Sequence, residues 1–145
     1  MTIDPGVLAL HLRAVGLLMA ALVVVNLFVP RRFRWREEMA SLSLLNRQIF
    51  EVHSLFIVLT LALFAALLLT SSDALLEPTR LSRAILIGLT IFWSARMFVQ
   101  WFYYSPDVWR GDRFRTVMHC VFSVTWVYVT ATFGAALWRN LSSGG

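Results

Sequence analysis

The sequence predicts an all-α integral membrane protein: four transmembrane helices in an up-and-down bundle, with both termini on the non-cytoplasmic side. Three observations carry that prediction. Hydrophobic residues make up 59% and charged residues 14% of 145 positions, with a mean hydropathy of +0.70, more apolar surface than a soluble domain of this size buries in one core. Four segments reach the roughly 20 residues a helix needs to cross a hydrocarbon layer about 30 Å thick. The run VHSLFIVLTLALFAALLLT is apolar on every face, which excludes the alternating strands of a β-barrel.

The chain reads as one membrane domain without internal repeats. The first span covers residues 6–28. Asp4 precedes it, and Pro30, Arg31, Arg32, Arg34 and Arg36 follow it, the polarity of a retained helix and not of a cleaved secretory signal. A cytoplasmic loop, residues 29–46, leads to the second span at residues 47–70. Ser71, Ser72, Asp73 and Pro78 then mark an outer loop, residues 71–80. The third span covers residues 81–104 and the fourth residues 115–138, divided by Ser105, Pro106, Asp107 and Gly111 in a cytoplasmic loop at 105–114. The tail, residues 139–145, carries no signal of its own.

Orientation follows from the arginines, since the chain has no lysine. One side collects Arg31, Arg32, Arg34, Arg36, Arg47, Arg110, Arg113 and Arg115, and the other only Arg13, Arg80, Arg83 and Arg139. The arginine-rich side is expected in the cytoplasm. Complete use of arginine over lysine points to a GC-rich genome, and so to a multi-pass protein of a bacterial cytoplasmic (inner) membrane. The net charge of +5 does not call for nucleic acid. In RRFRWREE the arginines alternate with Phe33 and Trp35 at the end of a span, where anionic head groups and the aromatic belt account for them. Trp101, Tyr103, Tyr104 and Trp109 form a similar belt at the end of the third span. The single Cys120 lies inside a span, so there is no disulfide framework.

The ionisable residues inside the spans define the candidate site. At about 1.5 Å per residue, His53 lies roughly 10 Å along its helix from Asn46, and His119 roughly 6 Å from Arg115. Counted back from Ser105, Arg96 is about 13 Å and Gln100 about 7 Å into the third span. Glu51, His53, Arg96, Gln100 and His119 are thus expected to share one polar layer in the cytoplasmic half. His11 and Arg13 belong near the opposite surface. Arg115, His119, Phe122 and Trp126 share a stripe of the fourth span, as Arg96, Gln100 and Tyr103 do on the third. Deeper in the fourth span, Thr125, Tyr128 and Thr132 form a stripe suited to interhelical hydrogen bonding. Charged groups at such depth cost a few kcal/mol each unless paired or turned inward. A Glu51–Arg96 pair with Gln100 beside it is one arrangement that meets this condition.

The histidines carry a sharper expectation. His53 and His119, at similar depth on parallel helices, are arranged as the two axial ligands of a b-type haem iron, with Arg47, Arg96 or Arg115 near the propionates. Covalent haem is excluded, because no Cys-x-x-Cys-His occurs. A non-haem metal with Glu51 as third ligand fits poorly, since Glu51 and His53 point about 200° apart on a helix. The same residues would also read the carbonyl oxygens of a quinone. The best reading is therefore a haem- or quinone-binding redox protein for electron transport, or a subunit of one. The other class is a structural or assembly subunit of a larger membrane complex, since no catalytic signature such as a nucleophile elbow, a phosphate loop or His-Glu-x-x-His is present. The expected partners are the lipid bilayer and other membrane subunits or further copies of the chain.

The stretch SARMFVQWFYY, with Ala95, Arg96, Gln100 and Tyr103 at the end of the third helix, resembles the membrane-associated eicosanoid and glutathione metabolism family. That resemblance implies a trimer of four-helix subunits acting on lipophilic substrates, in which arginines and tyrosines of adjacent subunits bind glutathione and activate its thiol. Arg96 and Tyr103 would lie at that site. The second helix departs from the family's pattern: Arg47 is followed by Glu51 and His53 in place of an asparagine and a glutamate at set intervals.

Overall fold

The computed structural model describes residues 4–32, 39–105 and 111–143. Phe33, Arg34, Trp35 and Arg36, and likewise Pro106, Asp107, Trp109 and Arg110, lie outside the described residues. Four long helices make up almost all of the rest: α1 (Pro5–Arg32), α2 (Leu44–Leu76), α3 (Arg80–Phe102) and α4 (Arg113–Ser143), with one short 3-10 turn at Met39–Ser41. All four are long and apolar enough to cross a membrane.

Each helix starts where a short polar side chain takes up its first free N–H groups. Asp4 Oδ1 accepts from Val7 N at 3.0 Å, with Pro5 occupying the first helical position, where its missing N–H costs nothing. Ser43 Oγ accepts from Asn46 N at 3.3 Å to open α2. Thr79 caps α3 in a reciprocal box with Ser82, whose amide donates to Thr79 Oγ1 at 3.1 Å. Asp112 opens α4, accepting from Arg115 N at 3.1 Å and pairing with Arg115 Nε at 3.2 Å. Just before it, Gly111 has φ of 87°, a left-handed conformation that side-chain-bearing residues rarely adopt.

The observed helices outrun the spans read from the sequence. Pro30 does not close α1, which ends at Arg32. Ser71, Ser72 and Asp73 do not end α2 either. The helix bends at Ser71 (φ −129°, ψ 18°) and runs on to Leu76. Around the bend the Thr70 hydroxyl donates to the Ala66 carbonyl at 2.7 Å, and the Ser72 hydroxyl donates to the Leu68 carbonyl. Hydroxyls that bond back one turn stay compatible with a helix and bend it. Pro78 is the effective stop, because proline disfavours the helical conformation in the residue before it. The fourth helix continues through Asn140 to Ser143.

The chain divides into two compact units, Met1–Leu12 with Asp73–Gly145, and Arg13–Ser72. In the first, α3 and α4 pack together in antiparallel fashion: Arg83 meets Asn140, Trp93 meets Trp126, and Gln100 meets His119. Leu86, Leu89, Val129, Phe133 and Ala136 are buried in this unit. In the second unit α1 passes close to α2 at Gly16, where a Cβ would stand 3.0 Å from Leu68 Cβ and 3.0 Å from Leu69 Cγ. Val15, Met19, Leu61, Ala65 and Leu68 are its buried apolar side chains. Most of the other large apolar side chains stay exposed, among them Leu17, Phe56, Ile91 and Val124, in keeping with helices long and apolar enough to cross a membrane.

Candidate functional site

Three of the five residues expected in the polar layer meet in the first unit. Arg96 and Gln100 are one turn apart on α3, so their side chains lie on one face. Arg96 Nη1 donates to Gln100 Oε1 at 3.2 Å, and Gln100 Nε2 lies 2.9 Å from His119 Nδ1 on α4. Gln100 is buried, while Arg96 and His119 are half-buried. The guanidinium also sits over the Trp126 ring, its Cζ 4.9 Å from the ring centroid, a cation–π contact that gains strength away from water. Trp126 in turn stacks on Trp93, with centroids 5.1 Å apart and planes at 22°, and on Phe122 at 5.9 Å and 12°. Arginine is thus solvated by an amide and an aromatic face in place of water.

The chemistry of the donors fixes the direction of this relay. A guanidinium has five N–H donors and no acceptor, so the atom of Gln100 facing Arg96 must be the carbonyl oxygen. The atom facing His119 is therefore the amide nitrogen, which only donates. His119 Nδ1 must accept, and its ring proton rests on Nε2.

His53 shows the opposite arrangement within the second unit. Its Nδ1 lies 2.8 Å from the Ile49 carbonyl one turn back. A carbonyl can only accept, so here Nδ1 carries a proton and donates. His53 is exposed. Glu51, also exposed, lines an open cleft at the start of α2 with Met39, Leu44, Arg47 and Gln48. Among the described residues, no group of three or more His, Cys, Asp or Glu side chains is assembled to hold a metal ion.

Trp101, Tyr103 and Tyr104 of the expected aromatic belt are exposed around the end of α3. Tyr103 caps that helix and is 79% exposed, well outside the buried surroundings of Gln100.

Two further polar clusters emerge in the first unit. The Tyr128 hydroxyl is 2.9 Å from His11 Nδ1, with the rings edge to face at 5.9 Å. The stripe of Thr125, Tyr128 and Thr132 signalled an interhelical bond without naming its partner on α1. Thr132 instead bonds back to the Tyr128 carbonyl at 2.9 Å. The second cluster centres on Asn140, only 1% exposed. Its Nδ2 donates to the Glu77 carbonyl at 2.7 Å and to Ser82 Oγ at 2.9 Å, and its Oδ1 accepts from Arg83 Nε at 3.3 Å. Next to it, Arg139 Nη1 donates to the Leu76 carbonyl at 3.1 Å. An asparagine following Trp138 and Arg139 was the available signal, hidden because the span was closed at Trp138.

No protein-family model matches the chain, and neither a curated protein nor a solved structure matches it.

Proposed function

We propose that the first unit binds a lipophilic carbonyl compound of the quinone class at His119, and that the chain serves electron transfer as a multi-pass protein of a bacterial inner membrane. The observation that carries this reading is the relay from Arg96 through Gln100 to His119. With Nδ1 accepting from Gln100, the ring proton of His119 is on Nε2, and an imidazole N–H is the kind of donor a carbonyl oxygen accepts from. A haem iron would need the lone pair of that nitrogen, so among the redox ligands the sequence admits, a quinone fits His119 better than an iron does. His119 is half-buried, so its ring is not sealed inside the unit. The orientation, with both termini away from the cytoplasm, rests on the unequal arginine counts at the two ends of the helices.

Protein purified from its own membrane tests this directly. Organic extraction followed by chromatography is expected to yield a quinone near one equivalent. Titration with a short-chain quinone should quench the fluorescence of Trp126 and its neighbours. His119→Ala should weaken binding by about tenfold or more, the loss of one hydrogen bond in a poorly hydrated site. A haem absorbance band that disappears in His119→Ala would overturn the quinone reading. So would preparations that carry no quinone and bind none.

A further inference from the structure

The end of the bundle that is poorer in arginine still holds Arg80, Arg83 and Arg139, and the first unit gathers them where α2 turns into α3 and α4 ends. Two of them are tied to a single turn. Arg139 Nη1 donates to the Leu76 carbonyl at 3.1 Å, while Arg83 Nε donates to buried Asn140, whose own amide reaches the carbonyl of Glu77, the next residue. Arg80 opens α3 three residues before Arg83, on the same face of the helix. We propose that this turn and the end of α4 form a binding site for the head group of an anionic phospholipid: Arg83 and Arg139 donate to its phosphate, and Arg80 selects for its net negative charge. The site shares no residue with the Arg96–Gln100–His119 relay and does not depend on the quinone reading.

The anchors of the two guanidiniums are neutral. A carbonyl and an amide oxygen fix a guanidinium without cancelling its charge, and among the described residues no carboxylate pairs with Arg83 or Arg139. The turn itself carries one acid, Glu77, against the three arginines. Each anchor also leaves donors to spare, since a guanidinium has five N–H groups. Arg83 spends its Nε on Asn140, so its two Nη groups, the fork that matches a pair of phosphate oxygens, stay uncommitted. Both side chains are half-buried and already bonded, which lowers the ordering cost that binding would otherwise carry. The apolar surroundings decide between a lipid and a free phosphate. Leu81 in the first turn of α3, and Trp138 and Leu141 in the last turns of α4, are exposed next in sequence to these arginines. Acyl chains can lie along such side chains, and a free phosphate gains nothing from them. A basic pocket between spanning helices is the arrangement that recognises anionic head groups. A zwitterionic head group would bring its own cation beside the arginines, so it is disfavoured.

Native mass spectrometry of the full chain, released from micelles of an uncharged detergent, tests this with dioleoyl phosphatidylglycerol and dioleoyl phosphatidylcholine as paired probes. Wild-type protein is expected to retain one phosphatidylglycerol under collisional activation that strips phosphatidylcholine, and to unfold at a higher temperature in its presence. Arg83→Gln should weaken phosphatidylglycerol binding by about tenfold, the loss of one charge-assisted contact, and Arg139→Gln by several-fold. Arg113→Gln removes the same charge from an exposed position at the opposite end of α4 and should leave binding unchanged. Arg80 is exposed, so Arg80→Gln serves if the Arg83 and Arg139 variants do not fold: it should narrow the preference for phosphatidylglycerol over phosphatidylcholine. Inorganic phosphate is expected to give no stabilisation where phosphatidylglycerol saturates. Equal retention of the two lipids by wild-type protein would overturn the proposal. So would wild-type affinity in both Arg83→Gln and Arg139→Gln, an undiminished preference in Arg80→Gln, or equal weakening in Arg83→Gln and Arg113→Gln. Stabilisation by inorganic phosphate as large as that by phosphatidylglycerol would replace the lipid with a free anion and overturn it as well.

Discussion

Replacing Asn140 with alanine removes the polar hub that joins the α2–α3 turn to α4, and the structure gives its magnitude. Three hydrogen bonds are lost: two from Nδ2, to the Glu77 carbonyl at 2.7 Å and Ser82 Oγ at 2.9 Å, and one accepted from Arg83 Nε at 3.3 Å. At about 0.5–1.5 kcal/mol each the gross loss is near 3 kcal/mol. Two features trim it. The Glu77 carbonyl keeps the Thr79 amide at 2.8 Å and the Ser82 hydroxyl, and half-buried Arg83 regains water. The void left by a side chain only 1% exposed adds back part of what is trimmed. A net destabilisation of about 2–3 kcal/mol results, equivalent to a fall of about 5–10 °C in the midpoint of a chain this size. Unfolding in mixed micelles, followed by circular dichroism, measures it. A cycle with Ser82→Ala should show coupling of about 1 kcal/mol, because Ser82 Oγ is one of the three partners. A loss under about 0.5 kcal/mol, or additivity in that cycle, would refute the assignment of Asn140 as the hub.

Glycine substitutions should split by sign. Gly16→Ala places a methyl 3.0 Å from Leu68 Cβ, an atom near the backbone with little room to yield, and should destabilise by about 1–2 kcal/mol. Gly134→Ala meets nothing within 4 Å and should stabilise by about 0.5–1 kcal/mol through helix propensity; both are read in the same unfolding assay. A double-mutant cycle of His11→Phe and Tyr128→Phe should give a coupling of about 0.5–1.5 kcal/mol, the range for interhelical bonds in membranes. Absence of coupling would mean that the 2.9 Å contact between them does not form in the folded protein.

The helices were legible because hydropathy registers twenty-residue averages, and averages survive errors at single positions. Boundaries were not, since they turn on local stereochemistry. Serines read as a break at 71 and 72 sit within α2, where their hydroxyl neighbours bond back along the helix. Periodicity put Arg96, Gln100 and Tyr103 on one stripe and Arg115, His119, Phe122 and Trp126 on another; Arg96 bonds Gln100 and Phe122 stacks on Trp126, while Tyr103 is exposed at the helix end. Depth counting brought His119 level with Gln100, and the two are in contact. What spacing does not encode is polarity of a hydrogen bond. That Nδ1 accepts in His119 and donates in His53 follows only from seeing an amide beside one ring and a backbone carbonyl beside the other. Trp93 escaped notice for a similar reason: tryptophan within an apolar run looks like lipid-facing bulk until its stacking partner is seen.

The Asn140 hub also sets a schedule for biosynthesis. Its partners at Glu77, Ser82 and Arg83 precede it by 63, 58 and 57 residues. At about 5–20 residues per second, the ribosome delivers Asn140 roughly 3–13 s after Glu77. Through that interval the α2–α3 hairpin exists with its turn unlatched: the Glu77 carbonyl has only Thr79 and Ser82 as partners, and the Arg83 guanidinium lacks the Asn140 oxygen. Ribosome stalling late in α4 would therefore release a three-helix intermediate whose turn still presents its polar groups, a state open to quality-control proteases and closed to them once the last turns of α4 arrive.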